Sequence, residues 1–100
     1  MQSVSVEEGG HVVRMFIRHH VADYPAWRSV YDSIDETRAS MGVTGHAVFR
    51  STADERDVTA YHDFESEDAA QAFASSPALR EAMGRAGVQG APQIWFTSAA

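Results

Sequence analysis

The sequence predicts an α+β domain in the order βαββαβ, a four-stranded antiparallel sheet with helices on one face. Three observations predict it. Four segments alternate apolar and polar residues with the period of two that a strand requires. Two stretches with apolar residues at helical spacing separate the first strand from the second and the third from the fourth. The chain has 100 residues, the usual size of one domain.

The elements follow in order. Residues 1–10 are polar and acidic, without a basic start or an apolar run, and read as a loose lead-in rather than a signal peptide. The folded domain is expected over 11–98. His11 to His20 reads as a strand, with Val13, Met15 and Ile17 alternating with Arg14, Phe16 and Arg18. Asp23 is a good N-cap and Pro25 suits a first helical turn, where its missing N–H removes a donor that has no partner anyway. Trp27, Val30, Tyr31, Ile34 and Met41 then form one stripe of a single helix, with Asp32, Asp35, Glu36 and Arg38 facing water and Gly42 as its stop.

Thr44 to Ser51 and Asp57 to Glu65 read as two strands joined by residues 52–56. The register pairing Arg50 with Asp57 puts Phe49 opposite Val58, Ala47 opposite Ala60 and Gly45 opposite His62. Its other face pairs Val48 with Thr59, His46 with Tyr61 and Thr44 with Asp63. A slip of one residue would mix the apolar and polar sets. Ser66 caps a short helix through Ala69, Ala70 and Phe73. Ser76 and Pro77 start another with the stripe Leu79, Ala82, Met83 and Ala86, ended by Gly87. Gln93 to Ser98 is the last strand. Two helical layers cover one face, and right-handed crossovers give a ferredoxin-like sheet with the first and third strands central. The expected helix-side core is Val13, Met15, Ile17, Ala47, Phe49, Val58, Ala60, Phe64, Ile94 and Phe96.

Composition narrows the function. The net charge is −6 with no lysine. An acidic domain without a basic run is a poor partner for nucleic acid, whose phosphates supply most of such affinity. No run approaches the roughly 18 apolar residues of a membrane span. There is no cysteine, which removes disulfides and thiolate chemistry and fits a reducing cytoplasm.

The informative surface is the sheet face away from the helices. It is expected to hold Arg14, Phe16, Arg18, His20, His46, Val48, Arg50, Thr59, Tyr61, Asp63 and Trp95. Water alone does not call for those aromatics, and a dry core does not call for those cations. The mixture suits a face closed by a second copy of the chain around a ligand pocket, or a plain interface between copies, where Trp, Tyr and Arg are also enriched.

The stretch from Arg18 to Trp27, the phrase from Asp63 to Ala69, and Ser76 to Met83 followed by Ala86-Gly87-Val88 resemble the dimeric α+β barrel superfamily. The nearest likeness is to small antibiotic-biosynthesis-monooxygenase-like and cyclase-like proteins, over residues 11 to 98. The resemblance implies a homodimer with a small-molecule ligand. Its range of activities includes cofactor-free quinone-forming oxygenases, cyclases, isomerases and haem-degrading enzymes, so fold does not fix reaction. The oxygenases usually place an Asn, a Trp and an Arg or Tyr around the substrate. This chain has no asparagine, which weakens that match, though Trp95, Tyr61 and Arg14 are present.

The expected reading is a cofactor-free cyclase, isomerase or oxygenase on an aromatic or polyketide-like compound. His20 or His46 moves a proton, and Arg14, Arg18 or Tyr61 steadies an enolate-like oxygen. Phe16 and Trp95 shape the pocket, with Val48, Asp63 and His19 beside them. His19 also reads as a structural bond to the following turn, and His62 as a satisfied core histidine. His46 and Tyr61 are expected as cross-strand neighbours, with Arg14 pairing Asp63. No metal site is expected, because thiolates and paired-histidine spacings are absent. Haem would need one axial histidine, for which His20 or His46 could serve. The other class of reading is a non-catalytic ligand-binding or stress-related homodimer.

Overall fold

Alternation in the first strand sends Met15 and Ile17 into a buried layer and leaves Arg14, Phe16 and Arg18 on the opposite side. The computed structural model describes residues 12–100, so the expectations for the lead-in and for His11 lie outside the described residues. The elements are β1 (Val13–Val21), α1 (Tyr24–Ser33), α2 (Asp35–Ser40), β2 (Gly45–Arg50), β3 (Asp57–Phe64), α3 (Glu67–Ala74), α4 (Pro77–Arg85) and β4 (Val88–Ser98). The sheet order is β2-β3-β1-β4, all pairs antiparallel, with β1 and β3 central as expected.

The caps read from the sequence are present. Asp23, Ser66 and Ser76 accept hydrogen bonds from the backbone N–H of Ala26, Ala69 and Leu79 at 3.0, 3.1 and 3.1 Å. The core joins Met15, Ile17, Val21, Val58, Ala60 and Phe64 of the sheet to Trp27, Tyr31, Ala70, Phe73 and Leu79 of the helices.

Three expectations change. The single helix is two: Ile34 (φ −106°, ψ 25°) ends α1 and precedes α2, and Gly42 follows α2 at φ 92°, a backbone conformation that glycine adopts without steric cost. The last strand begins at Val88 rather than Gln93. Its pairing with β1 jumps from Arg18↔Gln93 to His20↔Gln89, so residues 90–92 oppose His19 alone. Gly90 (φ 73°) makes that irregularity possible, and Pro92, lacking an N–H, is tolerated at such a site.

The third change bears on function. β2 and β3 pair Arg50 with Val58, Phe49 with Thr59, Val48 with Ala60, Ala47 with Tyr61 and His46 with His62. This is one residue from the expected register, so every β2 side chain changes face. The loop sets it. Asp54 N–H donates to the Ser51 carbonyl, Asp57 N–H to the Asp54 carbonyl and Ser51 N–H to the Asp57 carbonyl, at 3.4, 3.0 and 2.9 Å. Two successive turns thus close the hairpin on Ser51 and Asp57. His46 and Val48 go to the helix side, and Phe49, expected in the core, is 56% exposed on the other face.

Candidate functional site

Between the helices and the sheet lies a cavity of about 40 Å³. Trp27, Val30, Tyr31 and Ile34 reach it from α1, Arg38 from α2, Ile17 and His19 from β1, Ala60 and His62 from β3, and Leu79 and Met83 from α4. The lining is largely apolar, but three polar side chains are almost fully buried: His19 (6% exposed), His62 (3%) and Arg38 (2%). A buried polar group without a partner costs free energy. Among the described residues, both ring nitrogens of His19 and of His62 lack hydrogen-bond partners, as do Arg38 Nε and Nη1. Arg38 Nη2 alone is used, donating to the Tyr31 carbonyl at 2.7 Å and to Asp35 Oδ1 at 2.8 Å.

Aromatic rings fix these groups. His19 meets Trp27 edge-on at 5.7 Å, and Trp27 stacks on Tyr31 at 5.0 Å. Arg38 lies over the Tyr31 ring at 4.0 Å, and His62 rests 5.0 Å from Phe73. Burial holds the His19 imidazole down to a pKa of about 4. Burial first, then the Arg38 and His46 charges, hold His62 down to about 3. Both are therefore neutral at physiological pH, each able to donate from one ring nitrogen and accept at the other. His46 stacks on His62 at 5.8 Å, and its Nδ1 lies 2.6 Å from the Tyr31 hydroxyl.

The opposite face satisfies itself. Arg14 binds Asp63 through two bonds of 2.8 and 3.0 Å and covers the Tyr61 ring at 3.7 Å. Arg18 binds Asp57 the same way at 3.0 and 2.7 Å, and His20 Nε2 is 2.8 Å from Asp54. Phe16 stacks on Trp95 at 5.2 Å and meets Tyr61 edge-on at 6.1 Å. What this face leaves open is aromatic: Phe49 at 56% and Trp95 at 41% exposure.

The residues expected to form one site are thus divided. Arg14 and Asp63 pair as expected, and Phe16, Arg18, His20, Tyr61 and Trp95 share the open face with them. His46 and Val48 do not join them. The His46–Tyr61 pair does not form, because the register places His46 beside His62 and Tyr61 beside Ala47. His19 lines the cavity instead. His62 is on the helix side as expected, but without the hydrogen bonds that a satisfied core histidine would have. Tyr31 and Arg38 were not singled out. Arg38 was expected to face water, yet Trp27, Tyr31, Ile34, Arg38 and Met41 continue one stripe at steps of four and three, and that spacing carries its burial. Among the described residues no group of three or more His, Cys, Asp or Glu converges as a metal site would require, and no helix is long and apolar enough to cross a membrane.

Solved structures share this fold. The chain is similar to SnoaB, a cofactor-independent oxygenase from Streptomyces nogalater, with 14% identity, a TM-score of 0.74, and 90% of this chain and 94% of that one covered. It is similar to a conserved protein from Methanosarcina mazei Go1, with 11% identity, a TM-score of 0.75, and 92% and 96% covered. It is also similar to Rv0793 from Mycobacterium tuberculosis, with 13% identity, a TM-score of 0.66, and 89% and 95% covered. At such identities the likeness shows the fold. No curated protein matches the sequence. The model of the antibiotic biosynthesis monooxygenase family matches residues 11–85, and the chain belongs to that family.

Proposed function

We propose that the protein is a cofactor-independent oxygenase acting on a small aromatic or polyketide-like molecule, which it binds between sheet and helices in each protomer of a homodimer. The observation that carries the reading is Arg38, a buried guanidinium with Nε and Nη1 unpartnered at an apolar cavity. A buried cation is stable when an anion or acceptor meets it, and a carbonyl oxygen that becomes an enolate supplies one. Oxygenase, cyclase and isomerase chemistry of this type all begin by removing a proton beside a carbonyl. Donors placed at the developing oxygen charge lower that barrier. In the oxygenase the enolate then reduces dioxygen, so a CH2 and O2 give a C=O and water. Membership of a monooxygenase family and the likeness to SnoaB, itself a cofactor-independent oxygenase, support that outcome. His19 and His62, held neutral, orient the ligand's other oxygens.

The cavity of about 40 Å³ is smaller than the ~150 Å³ that admits a benzene ring. Val30, Ile34 and Met83 on its wall are only partly buried, so a ring enters by parting α1 from α4 there. Arg14, Phe16, Arg18, His20, Tyr61, Asp63 and Trp95 act in joining two copies, since Arg14, Arg18 and Asp63 already have ionic partners and the Trp95 ring is exposed.

The test uses 1,8-dihydroxyanthrone and chelator-treated protein. The expected result is catalysed quinone formation with one O2 consumed per quinone, and a loss of about a hundredfold in kcat in Arg38→Met. Deuterium exchange at the anthrone CH2 without oxygen uptake would assign the cyclase or isomerase chemistry instead. Turnover lost in His20→Ala or Tyr61→Phe but kept in Arg38→Met would move the site to the open face.

A further inference from the structure

A cavity that closes over its ligand needs a route by which a proton can leave; besides the Arg38–Asp35 ion pair, whose guanidinium does not give up its proton, one polar chain runs outward from it among the described residues. The Tyr31 hydroxyl is 2.6 Å from His46 Nδ1. His46 Nε2 is 3.7 Å from Asp35 Oδ1. Tyr31 lines the cavity at 7% exposure, while the His46 and Asp35 side chains are 34% and 71% exposed. Buried hydroxyl, half-buried imidazole and exposed carboxylate therefore follow one another from the cavity to the surface. The other two histidines offer no such path, since neither ring nitrogen of His19 or His62 has a partner.

We propose that Tyr31, His46 and Asp35 form the proton path of the cavity, with Tyr31 exchanging the proton with the ligand and His46 positioning and recharging it. The inference rests on the reading of that cavity as the ligand site. The transfer balances as follows. The ligand's C–H bond breaks, its electron pair stays on the ligand as the enolate, and the proton goes to the Tyr31 oxygen. The proton that Tyr31 already carries passes to His46 Nδ1, giving an imidazolium. That imidazolium releases its Nε2 proton to water or to Asp35.

The surroundings set where the protons rest before the transfer. Burial pushes the Tyr31 phenol up, against the lowering effect of Arg38 and Arg28, so the hydroxyl keeps its proton and donates to a neutral His46. The groups that face His46 are Tyr31, Asp35, Arg38, Arg28 and Asp32 from the helices and His62 from β3. Burial, then Arg38, lowers the His46 imidazole below its usual range, so an imidazolium formed there gives up its proton readily. The arrangement has the form of a proton-carrying group, a base and a group orienting the base.

The first measurement needs no substrate. Nitrogen-15 NMR of the histidine rings should show neutral His46 as the Nε2–H tautomer. Tyr31→Phe removes the donor that favours the neutral ring, so the His46 midpoint should rise by at least about 0.5 pH unit. An unchanged tautomer and midpoint would overturn the path even if the protein turns over its ligand. With 1,8-dihydroxyanthrone as probe, His46→Gln should keep KM, lower kcat about tenfold or more, and recover when free imidazole is added. A His46→Gln protein with the wild-type pH profile and no response to imidazole would likewise overturn it. Failure of every variant and the wild type to act on the probe would count against the oxygenase reading, while the NMR result would still decide the Tyr31–His46 link.

Discussion

Arg38 is held through one nitrogen, which bonds the Tyr31 carbonyl and Asp35, while its other two nitrogens are buried without partners in a side chain that lines the cavity. Its carboxylate partner is 71% exposed, so removing the guanidinium strands no buried charge. Arg38→Met is therefore expected to change stability by less than about 2 kcal/mol, the lost bond to a buried carbonyl being partly offset by apolar burial. Urea unfolding of wild type and variant checks this, and a small change there makes any loss of turnover interpretable. His19 and His62 bear on stability in a different way. The unfolded chain protonates its histidines below about pH 6.5, whereas these two resist until about 4 and 3. The unfolded state thus binds more protons in that window. Stability, complete above pH 6.5, falls with acidification by about 1.4 kcal/mol per pH unit for each histidine. Urea midpoints at pH 7, 6 and 5 should show this slope, and His62→Gln should halve it. The four-and-three spacing that buries Arg38 was legible in the sequence, although Arg38 was read there as facing water. Its partnerless state was not, because the fork of a guanidinium carries no record in the sequence of what it faces.

At the scale of elements, local chemistry and pattern differ in what they decide. Ser66 and Ser76 were read as caps from their own residue types and neighbours, and cap they do. Ser76 also donates from its hydroxyl to the Phe73 carbonyl at 2.8 Å and is buried. Ser76→Ala should destabilise by about 1–2 kcal/mol, readable as a drop in Tm with unchanged secondary structure. The β2–β3 register was not legible from alternation, because β2 carries Ala47 and Phe49 on one side and His46 and Val48 on the other, a poor apolar contrast. Turn bonds between Ser51 and Asp57 decide it. That one-residue step carried His46 from the expected cluster with Tyr61 to the pair with Tyr31, and with it the candidate site from one face of the sheet to the other.

The whole molecule then has two faces of different character. The helix side holds unpartnered polar groups within apolar walls. The open side holds paired ions among exposed rings, and aromatic residues and arginine are enriched at interfaces between copies. Strand order and helix placement were legible because periodicity marks each element and right-handed crossovers order the strands. The difference between the faces in paired and unpaired polar groups was not, because it depends on which charges find partners across strands. A homodimer is the expected state at micromolar concentration, and Phe49→Asp with Trp95→Asp should convert it to a folded monomer by light scattering. Methyl NMR during titration with 1,8-dihydroxyanthraquinone, the stable oxidised counterpart of the probe, decides whether the ligand binds between sheet and helices. Shifts are expected at Val30, Ile34, Leu79 and Met83. Shifts confined to Ala47, Thr59 and Thr97 on the open face would contradict that placement.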